Sequence, residues 1–403
     1  MSKKSIKFLD TLSKGTRKNY ESTIRDYEAF HGTTIDKLVD EALTEQAERV
    51  PPHQLKVIDR IEDYQNHLIE RDLVHGTISV MIGRIKTIYH KNRVVLPYIT
   101  PLNPKQTKRR EYIEYKDILT KDELRCAMTH MRLPAQARML VMAQGGLSNE
   151  ECEHLTTRAF IDETYKYHQK DDDLEALEWL ADENNPVIWV TKMVRQKTMK
   201  PYYALIGAEA VNKIAEAKIY ESQLKSNNGS IPAKLLTLHK GSFGRICRTV
   251  NKKCGLGLVA EESKLRPHNL RRFNATYIRG SALTYEENSR ISNSEIDEMQ
   301  GRGKTGVQDT YIKSNPVEQK LIYAKVMNNV SLFHEYSYVF TGDDVEVFLV
   351  NQLEEKQKLE EKVQKLENEL AQKRMASEKI KNLKKELGED TFNAIISDIL
   401  SVS

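Results

Sequence analysis

One short stretch of β-branched and aromatic residues interrupts a chain whose apolar residues otherwise recur at helical spacing. Val187-Ile188-Trp189-Val190 is typical of a strand, and Tyr202-Tyr203-Ala204-Leu205-Ile206 is typical of its hairpin partner. Between them lies a polar, cationic segment, Arg195-Gln196-Lys197-Thr198-Met199-Lys200. The sequence therefore predicts a mainly α protein with a small β-sheet, in the α+β class.

The first 97 residues predict a helical domain. Apolar residues recur there every three or four positions in three stripes, which is the usual mark of packed helices. The stripes are Tyr20, Ile24, Tyr27 and Phe30; Val57, Ile61, Tyr64 and Leu68; and Ile78, Met81, Ile82, Ile85 and Ile88. The polar faces of the same helices carry cations that either meet solvent or face DNA: Lys14, Arg17, Lys18, Arg84 and Lys86.

Residues 98–118 predict a linker, because prolines and a basic run break the helical pattern. Lys108 and Arg109 belong to that run and could lie along a phosphate backbone. A second domain, residues 119–335, begins at a capping box formed by Thr120 and Glu123.

Residues 343–403 predict a coiled coil followed by a short apolar helix. Leu359, Val363, Leu366 and Leu370 form a seam of about two heptads. The same register then meets polar residues, so the seam is short. Either another copy of the chain or a different protein would pack against it, and a solvated single helix is the alternative.

The composition excludes several function classes. The net charge is only +4 over 403 residues, so DNA binding has to be argued from local patches. Four scattered cysteines include no CxxC pair, so neither a disulfide framework nor a zinc site is expected, and His130 and His154 have no ligand-spaced partners. There is no apolar leader or membrane-length run. We therefore expect a cytoplasmic protein, with no metal and no cofactor.

The chemistry is concentrated between Arg266 and Tyr311. His268 and Arg271 lie three residues apart, on one face of a predicted helix, and Arg302 precedes Tyr311 by nine residues. Guanidinium groups bind phosphate oxygens in pairs, and a tyrosine can form a covalent intermediate. These residues predict a site that binds a phosphodiester and attacks it. A nucleotide-binding P-loop at Gly301-Arg302-Gly303-Lys304-Thr305 is rejected, because Glu298 stands where that motif needs glycine.

The order of these motifs resembles that of the tyrosine recombinases (integrases), particularly the divergent archaeal ones of mobile elements. The chain has Gly146-Leu147-Ser148-Asn149-Glu150-Glu151, then the hairpin lysine, then His268 three residues before Arg271, the Gly301-Arg302 pair and finally Tyr311. The resemblance covers almost the whole chain. It implies a helical DNA-clamping domain, a linker and a catalytic domain with a three-stranded sheet among helices.

The resemblance also implies the role of each site residue. Tyr311 would attack the scissile phosphodiester and form a 3′-phosphotyrosyl bond, without metal or ATP. Arg271 would hold the non-bridging oxygens, and His268 would exchange a proton and contact the phosphate. Lys197 would protonate the leaving 5′-oxygen, with Lys200 as its near competitor. Arg302 stands where the bacterial pattern has His or Trp and keeps a hydrogen-bond donor there.

One position departs from the family's pattern. Ser148 stands where Gly-Leu-Arg-x-x-Glu has its arginine. Another cation, such as Arg138 or Arg158, could replace it, and Arg302 could take part of its electrostatic role. Otherwise the protein would bind DNA and cleave it poorly or not at all.

The predicted function is site-specific recombination or integration of double-stranded DNA by a homo-oligomer, tetrameric on DNA and associated with the nucleoid. Lys200 and Arg272 complete the expected DNA-binding residues, and no membrane partner is expected. The alternatives are a catalytically weak DNA-binding or architectural factor on the same fold, and a coiled-coil scaffold without chemistry.

Overall fold

The computed structural model describes residues 6–108, 112–195, 198–224, 228–280, 291–302 and 315–335. It also describes residues 362–365 and positions 379, 382, 384, 385 and 388. Lys197, Tyr311, Arg109 and nearly all of the predicted coiled coil lie outside the described residues. The chain divides into two compact units, Met1–Ile113 and Glu114–Ser403. The division falls inside the predicted linker; the predicted domain boundaries themselves stay a prediction.

The first unit is built from helices. Their bounds are α1 Lys14–His31, α2 Ile35–Ala47, α3 Lys56–Glu70 and α4 His75–Lys91. Three of them carry the predicted apolar stripes, and Ile24, Ile61 and Ile85 are fully buried. Helix α2 was not predicted separately, although Ile35, Leu38, Val39 and Ala42 repeat with helical spacing and are buried.

Polar contacts at the edges of this core specify how the helices meet. The Tyr64 hydroxyl donates to Asp26 Oδ2 at 2.7 Å, and the hydroxyls of Tyr27 and Tyr89 lie 3.2 Å apart. Ile99 is buried in the same core, and the Thr100 amide donates to Glu62. The start of the predicted linker therefore packs on the helical unit instead of standing free.

The second unit is mostly helical with a small hairpin, which confirms the predicted fold class. Helices α5 to α8 come first, and helices α9 to α13 follow the hairpin. Their bounds are α5 Lys121–Thr129, α6 Leu133–Gly145, α7 Thr157–His168, α8 Asp173–Ala181, α9 Ala208–Ser222, α10 Lys240–Lys253, α11 Pro267–Tyr277, α12 Asn293–Met299 and α13 Pro316–Val326. The predicted capping box at Thr120 and Glu123 is formed at the start of α5.

The predicted hairpin is present, with longer strands than the sequence suggested. Strand β1, Trp189–Arg195, pairs antiparallel with β2, Lys200–Ile206, in a register that sets Arg195 opposite Lys200. Arg195 thus ends a strand and does not belong to the connecting turn. A second, two-residue hairpin pairs β3 Leu258–Val259 with β4 Glu262–Ser263. Within the described residues each sheet has two strands, so the implied three-stranded sheet is not found there.

Helix α6 is the centre of the second unit. All but three of its thirteen residues are buried, and it packs against α9, α11 and β2. It ends at Gly146, whose φ of +64° turns the chain sharply. A Cβ at Gly146 would lie 2.5 Å from Asn274 Oδ1, so glycine is required where α6 meets α11. Among the described residues, no helix is long and apolar enough to cross a membrane.

Candidate functional site

The turn after α6 holds a buried carboxylate. The Glu151 side chain is 2% exposed, and its Oε2 accepts from the Ser148 amide at 2.7 Å. The Ser148 hydroxyl accepts from the Glu151 amide at 3.2 Å in return. Ser148 therefore acts as a cap for this turn, which is a role that serine performs well and arginine does not.

Arg271 of α11 pairs with that carboxylate. Its Nη1 donates to Glu151 Oε2 at 3.2 Å, and its Nη2 donates to the backbone carbonyl of Gln300. Burial lowers the pKa of Arg271, and the charge of Glu151 opposes that shift. Arg195 and Arg302 are close enough to act in the same direction as burial. Arg271 is thus a buried cation with one carboxylate partner and two guanidinium neighbours.

Gln300 joins three elements at this point. Its Nε2 donates to Asn274 Oδ1 at 2.6 Å, and Asn274 Nδ2 donates to the carbonyls of Ala143 and Gln144. The end of α12 is thereby tied to α11 and to the end of α6. Since buried amide groups need such partners, this network determines where the Gln300 carbonyl points.

The turn that follows Gln300 is pressed against the hairpin. Gly301 has a φ of +61°, and a Cβ there would lie 2.6 Å from the Tyr202 ring. The Arg302 side chain is 41% exposed, and its Nη1 lies 3.4 Å from Asp297 Oδ1. Solvent screens this ion pair, so it is weak.

Arg195 is the site residue that the motif order did not reveal. Its Nη1 lies 3.4 Å from the Gln300 carbonyl that also accepts from Arg271. In β1 the odd-numbered residues Trp189, Thr191 and Met193 are buried and Arg195 continues the same face. That period of two was a signal in the sequence that could have found it.

The structure brings together only part of the predicted catalytic set. Arg271 and Arg302 are joined through the turn at Gln300, whose carbonyl accepts from Arg271 Nη2. His268 lies on the first turn of α11 and is exposed, whereas Arg271 three residues later is buried. Lys200 begins β2 opposite Arg195, and Arg272 Nη1 donates to Asn269 Oδ1 at 3.2 Å. Lys197 and Tyr311 lie outside the described residues, so their roles stay predictions.

Neither cation suggested as a replacement at Ser148 is suited to that role. Arg138 is fully buried, and all three of its nitrogens donate to Asn149, Glu153 or the Leu238 carbonyl. Arg158 is 72% exposed on α7 and pairs with Asp162 at 2.6 Å. Among the described residues, Arg195 donates to the Gln300 carbonyl beside Arg271.

The basic residues predicted in the first unit have mixed surroundings. Lys14 and Lys18 are exposed, whereas Arg17 pairs with Asp10 and Glu21. Arg84 donates to Thr23 Oγ1, Lys86 is half-buried, and Lys108 lies 3.7 Å from Asp72. Their contact with DNA stays a prediction.

Helix α10 presents a basic face that was not predicted from the sequence. Phe243, Cys247 and Val250 are buried on one side, and no acidic residue occurs in the helix. The other side exposes Arg245, Arg248, Lys252 and Lys253. A helix with cations on one face and no carboxylates is suited to a phosphate backbone.

The similarity of this chain to known proteins is weak and is found in comparisons of structure. No family model matches the chain, and no curated protein does. The crystal structure of XerA recombinase aligns with 86% of this chain and 96% of its own, at 13% sequence identity and a TM-score of 0.32.

Proposed function

We propose that this chain is a tyrosine-type site-specific recombinase that cuts and rejoins double-stranded DNA. The observation that carries the proposal is that Arg195 and Arg271 both donate to the Gln300 carbonyl, two residues before Arg302. Tyr311 follows Arg302 by nine residues.

Three guanidiniums beside one another repel unless an anion compensates them. Glu151 is the buried carboxylate among them, and Asp297 lies at the exposed rim. A phosphodiester supplies the missing negative charge and matches the planar fork of each guanidinium. Fixed cations of this kind stabilise the additional charge that phosphoryl transfer places on the equatorial oxygens.

The proposed reaction is a transfer of the phosphoryl group to Tyr311. The phenolic oxygen forms a bond to phosphorus while the bond from phosphorus to the 5′-oxygen breaks. The phenol loses its proton, and the leaving 5′-oxygen gains one, with His268 and Lys197 as the proposed carriers. A free 5′-hydroxyl then reverses the step on a new strand, so rejoining needs no external energy.

Strand exchange joins ends from two duplexes, so we propose that the protein works as a homo-oligomer on DNA. Residues 343–403 are the proposed contact between copies, or to another protein. Deleting the chain after residue 340 is expected to change assembly more than cleavage, as measured by light scattering and adduct yield on the same DNA.

The second candidate is a recombinase-fold protein that binds DNA without cutting it. Ser148 favours it, because the arginine of the family's pattern is missing there. The proposed participation of Arg195 is the reason we prefer the enzyme.

A covalent-trapping experiment tests the proposal. The DNA site is first selected from a random duplex library with the purified full chain. Nicked substrates of the selected site then release a short fragment on cleavage, which prevents rejoining. An SDS-resistant protein–DNA adduct with the wild type, and none with Tyr311→Phe, is the expected result.

Two further variants sharpen the experiment. Tyr165→Phe removes another exposed phenol and should leave the adduct unchanged. Arg271→Lys keeps a charge beside Glu151 but loses the fork, so the adduct should fall steeply while binding persists. Sequence-specific binding with no adduct would leave the second candidate, and no DNA binding would exclude both.

A further inference from the structure

The two helices α5 and α10 end beside each other, and each brings metal-binding side chains to that place. Cys126 lies in the last turn of α5, His130 follows four residues later at its end, and Cys254 caps α10. One ligand atom from each residue lies within 4.8 Å of the other two. No metal site was expected from the sequence, because the cysteines form no CxxC pair and His130 has no ligand-spaced partner; the fold brings Cys254 to the other two residues.

We infer that Cys126, His130 and Cys254 form a Zn²⁺ site that joins α5 to α10. Two thiolates and one imidazole favour Zn²⁺ over hard cations such as Mg²⁺ and Ca²⁺. In a tetrahedral site with ordinary Zn–S and Zn–N bonds, the ligand atoms are roughly 3.5–3.8 Å apart. The three atoms therefore need to converge by at most about 1.3 Å, which side-chain rotation at helix ends can provide.

The backbone around Cys254 is held in place before any metal binds. The Cys254 amide donates to the Val250 carbonyl at 2.9 Å, and Gly255 turns the chain with a φ of +63°. Asn251, which is buried, donates to the Gly257 carbonyl and accepts from the Leu265 amide. Such preorganisation reduces the entropy that ligation has to overcome.

An ion pair near its N-terminus holds helix α5 in place. Lys264 Nζ donates to Glu123 Oε1 at 2.7 Å, next to the capping box of α5. Lys264 lies just before α11, the helix that carries Arg271. A metal at Cys254 and the ion pair at Lys264 would thus brace both ends of the segment that leads to α11.

The surroundings of the three ligands differ in a way that suits metal entry. His130 is exposed, so a metal ion in solution can reach its imidazole. Cys126 and Cys254 are half-buried, whereas Cys152 and Cys247 are fully buried in the core. Zinc binding would release the thiol protons of Cys126 and Cys254, as it does at other thiolate sites.

This inference does not depend on the DNA chemistry proposed above, and its test uses the metal alone. Full-length protein is saturated with Zn²⁺, dialysed under reducing conditions and analysed by atomic emission. One zinc per chain is expected for the wild type, for Cys247→Ala and for His154→Ala, and none for Cys126→Ser/Cys254→Ser. Cobalt in place of zinc should give the visible absorption of a tetrahedral thiolate complex. A wild-type chain without bound zinc, or a double variant that keeps it, would overturn the inference.

Thiol alkylation of the folded wild type provides a second readout that does not require the variants to fold. Zinc should slow alkylation of Cys126 and Cys254, and a chelator should restore it, with Cys152 and Cys247 as unreactive references in the same digest. Alkylation that is identical with and without zinc would contradict the site. So would a disulfide between Cys126 and Cys254 that forms in place of metal binding under the same reducing conditions.

Discussion

Arg271 of α11 and Glu151 of the turn after α6 form a buried ion pair, with Nη1 and Oε2 3.2 Å apart. Their side chains are 9% and 2% exposed. The pair joins two parts of the chain that are remote in sequence, and it holds Arg271 beside the Gln300 carbonyl, to which Arg195 also donates. The same contact therefore supports the fold and positions the proposed phosphate-binding group.

Removing either partner of this pair should cost stability, because the other charge stays buried. We expect Arg271→Ala and Glu151→Ala each to lower the free energy of unfolding by about 3 kcal/mol. The double variant should lose less than the sum, by about 1–3 kcal/mol, in a urea-denaturation cycle. The exposed pair Arg158 and Asp162 is the matched control and should show a much smaller coupling, because solvent screens it. Equal couplings in the two cycles would contradict the structural role of the buried pair.

Arg195→Ala should reduce adduct formation more than it reduces DNA binding. Removing one preorganised donor at a developing charge typically costs about 100-fold or more in rate. Arg195→Lys should recover part of that loss, because it keeps the charge without the fork. Lys192→Ala, an exposed lysine in the same strand, should cleave at the wild-type rate. If Arg195→Ala forms the adduct as fast as the wild type, Arg195 has no part in the chemistry.

Gly301→Ala should disturb the turn that presents Arg302. The positive φ costs about 1–2 kcal/mol for a residue with a Cβ. The clash with the Tyr202 ring, 2.6 Å from that Cβ, adds an overpacking cost of about 1–3 kcal/mol. Gly229→Ala has a similar φ of +78° and nothing within 4 Å, so it isolates the backbone effect. Thermal or urea unfolding of the two variants measures the difference, and equal losses would show that the contact with Tyr202 is unimportant.

The basic face of α10 should contribute to DNA affinity through its interaction with phosphates. The triple variant Arg245→Ala/Arg248→Ala/Lys252→Ala is expected to bind more weakly. Its plot of log affinity against log salt concentration should be shallower, by about 0.9 for each phosphate that the helix no longer neutralises. The control for net charge removes three cations from α7 and the turn after it. It is the triple variant Arg158→Ala/Lys166→Ala/Lys170→Ala. If both triple variants bind alike in a fluorescence titration, α10 does not face DNA.

Glu153 should make the fold sensitive to acid. Burial acts to raise the pKa of Glu153, but hydrogen bonds from Lys234 and Arg138 outweigh it and hold the pKa at about 2. An unfolded glutamate titrates at about 4.3, so the folded pKa is the lower of the two. The stabilisation is therefore present above the unfolded pKa and is lost as the pH falls from about 4 towards 2, by up to about 3 kcal/mol.

Glu153→Gln should be less stable than the wild type at neutral pH, and the difference should shrink as the pH falls. Urea unfolding at several pH values measures this convergence. A difference that stays constant from neutral pH down to about pH 2.5 would show that the pKa of Glu153 is not depressed by folding.

Some of the fold could be predicted because its determinants are local. The stripe Val57, Ile61, Tyr64 and Leu68 predicted a helix and is buried, since one turn of helix brings every third or fourth residue to one face. The strand at Trp189 was predicted from its β-branched and aromatic neighbours. Its end was not, because the switch from strand to turn at Arg195 depends on pairing with Lys200 across the hairpin.

The site was only partly predictable for the same reason. Arg271 and Arg302 could be chosen from the chemistry of their residue types and their spacing. Ser148 looked like the loss of an arginine. In the fold it caps the turn that buries Glu151, and Arg195 approaches from the hairpin instead.

The sequence by itself predicted most of the helices, the position of the hairpin and the candidate residues for phosphate chemistry, because these follow from local periodicity and side-chain chemistry. Only the tertiary structure decided that Arg195 and Arg271 donate to the same carbonyl, that of Gln300. It also decided that Cys126 and Cys254 lie beside His130. These contacts join residues that are far apart in the chain, and they depend on how α6, α10 and α11 pack. Packing of that kind is a property of the whole core, and no short stretch of sequence encodes it.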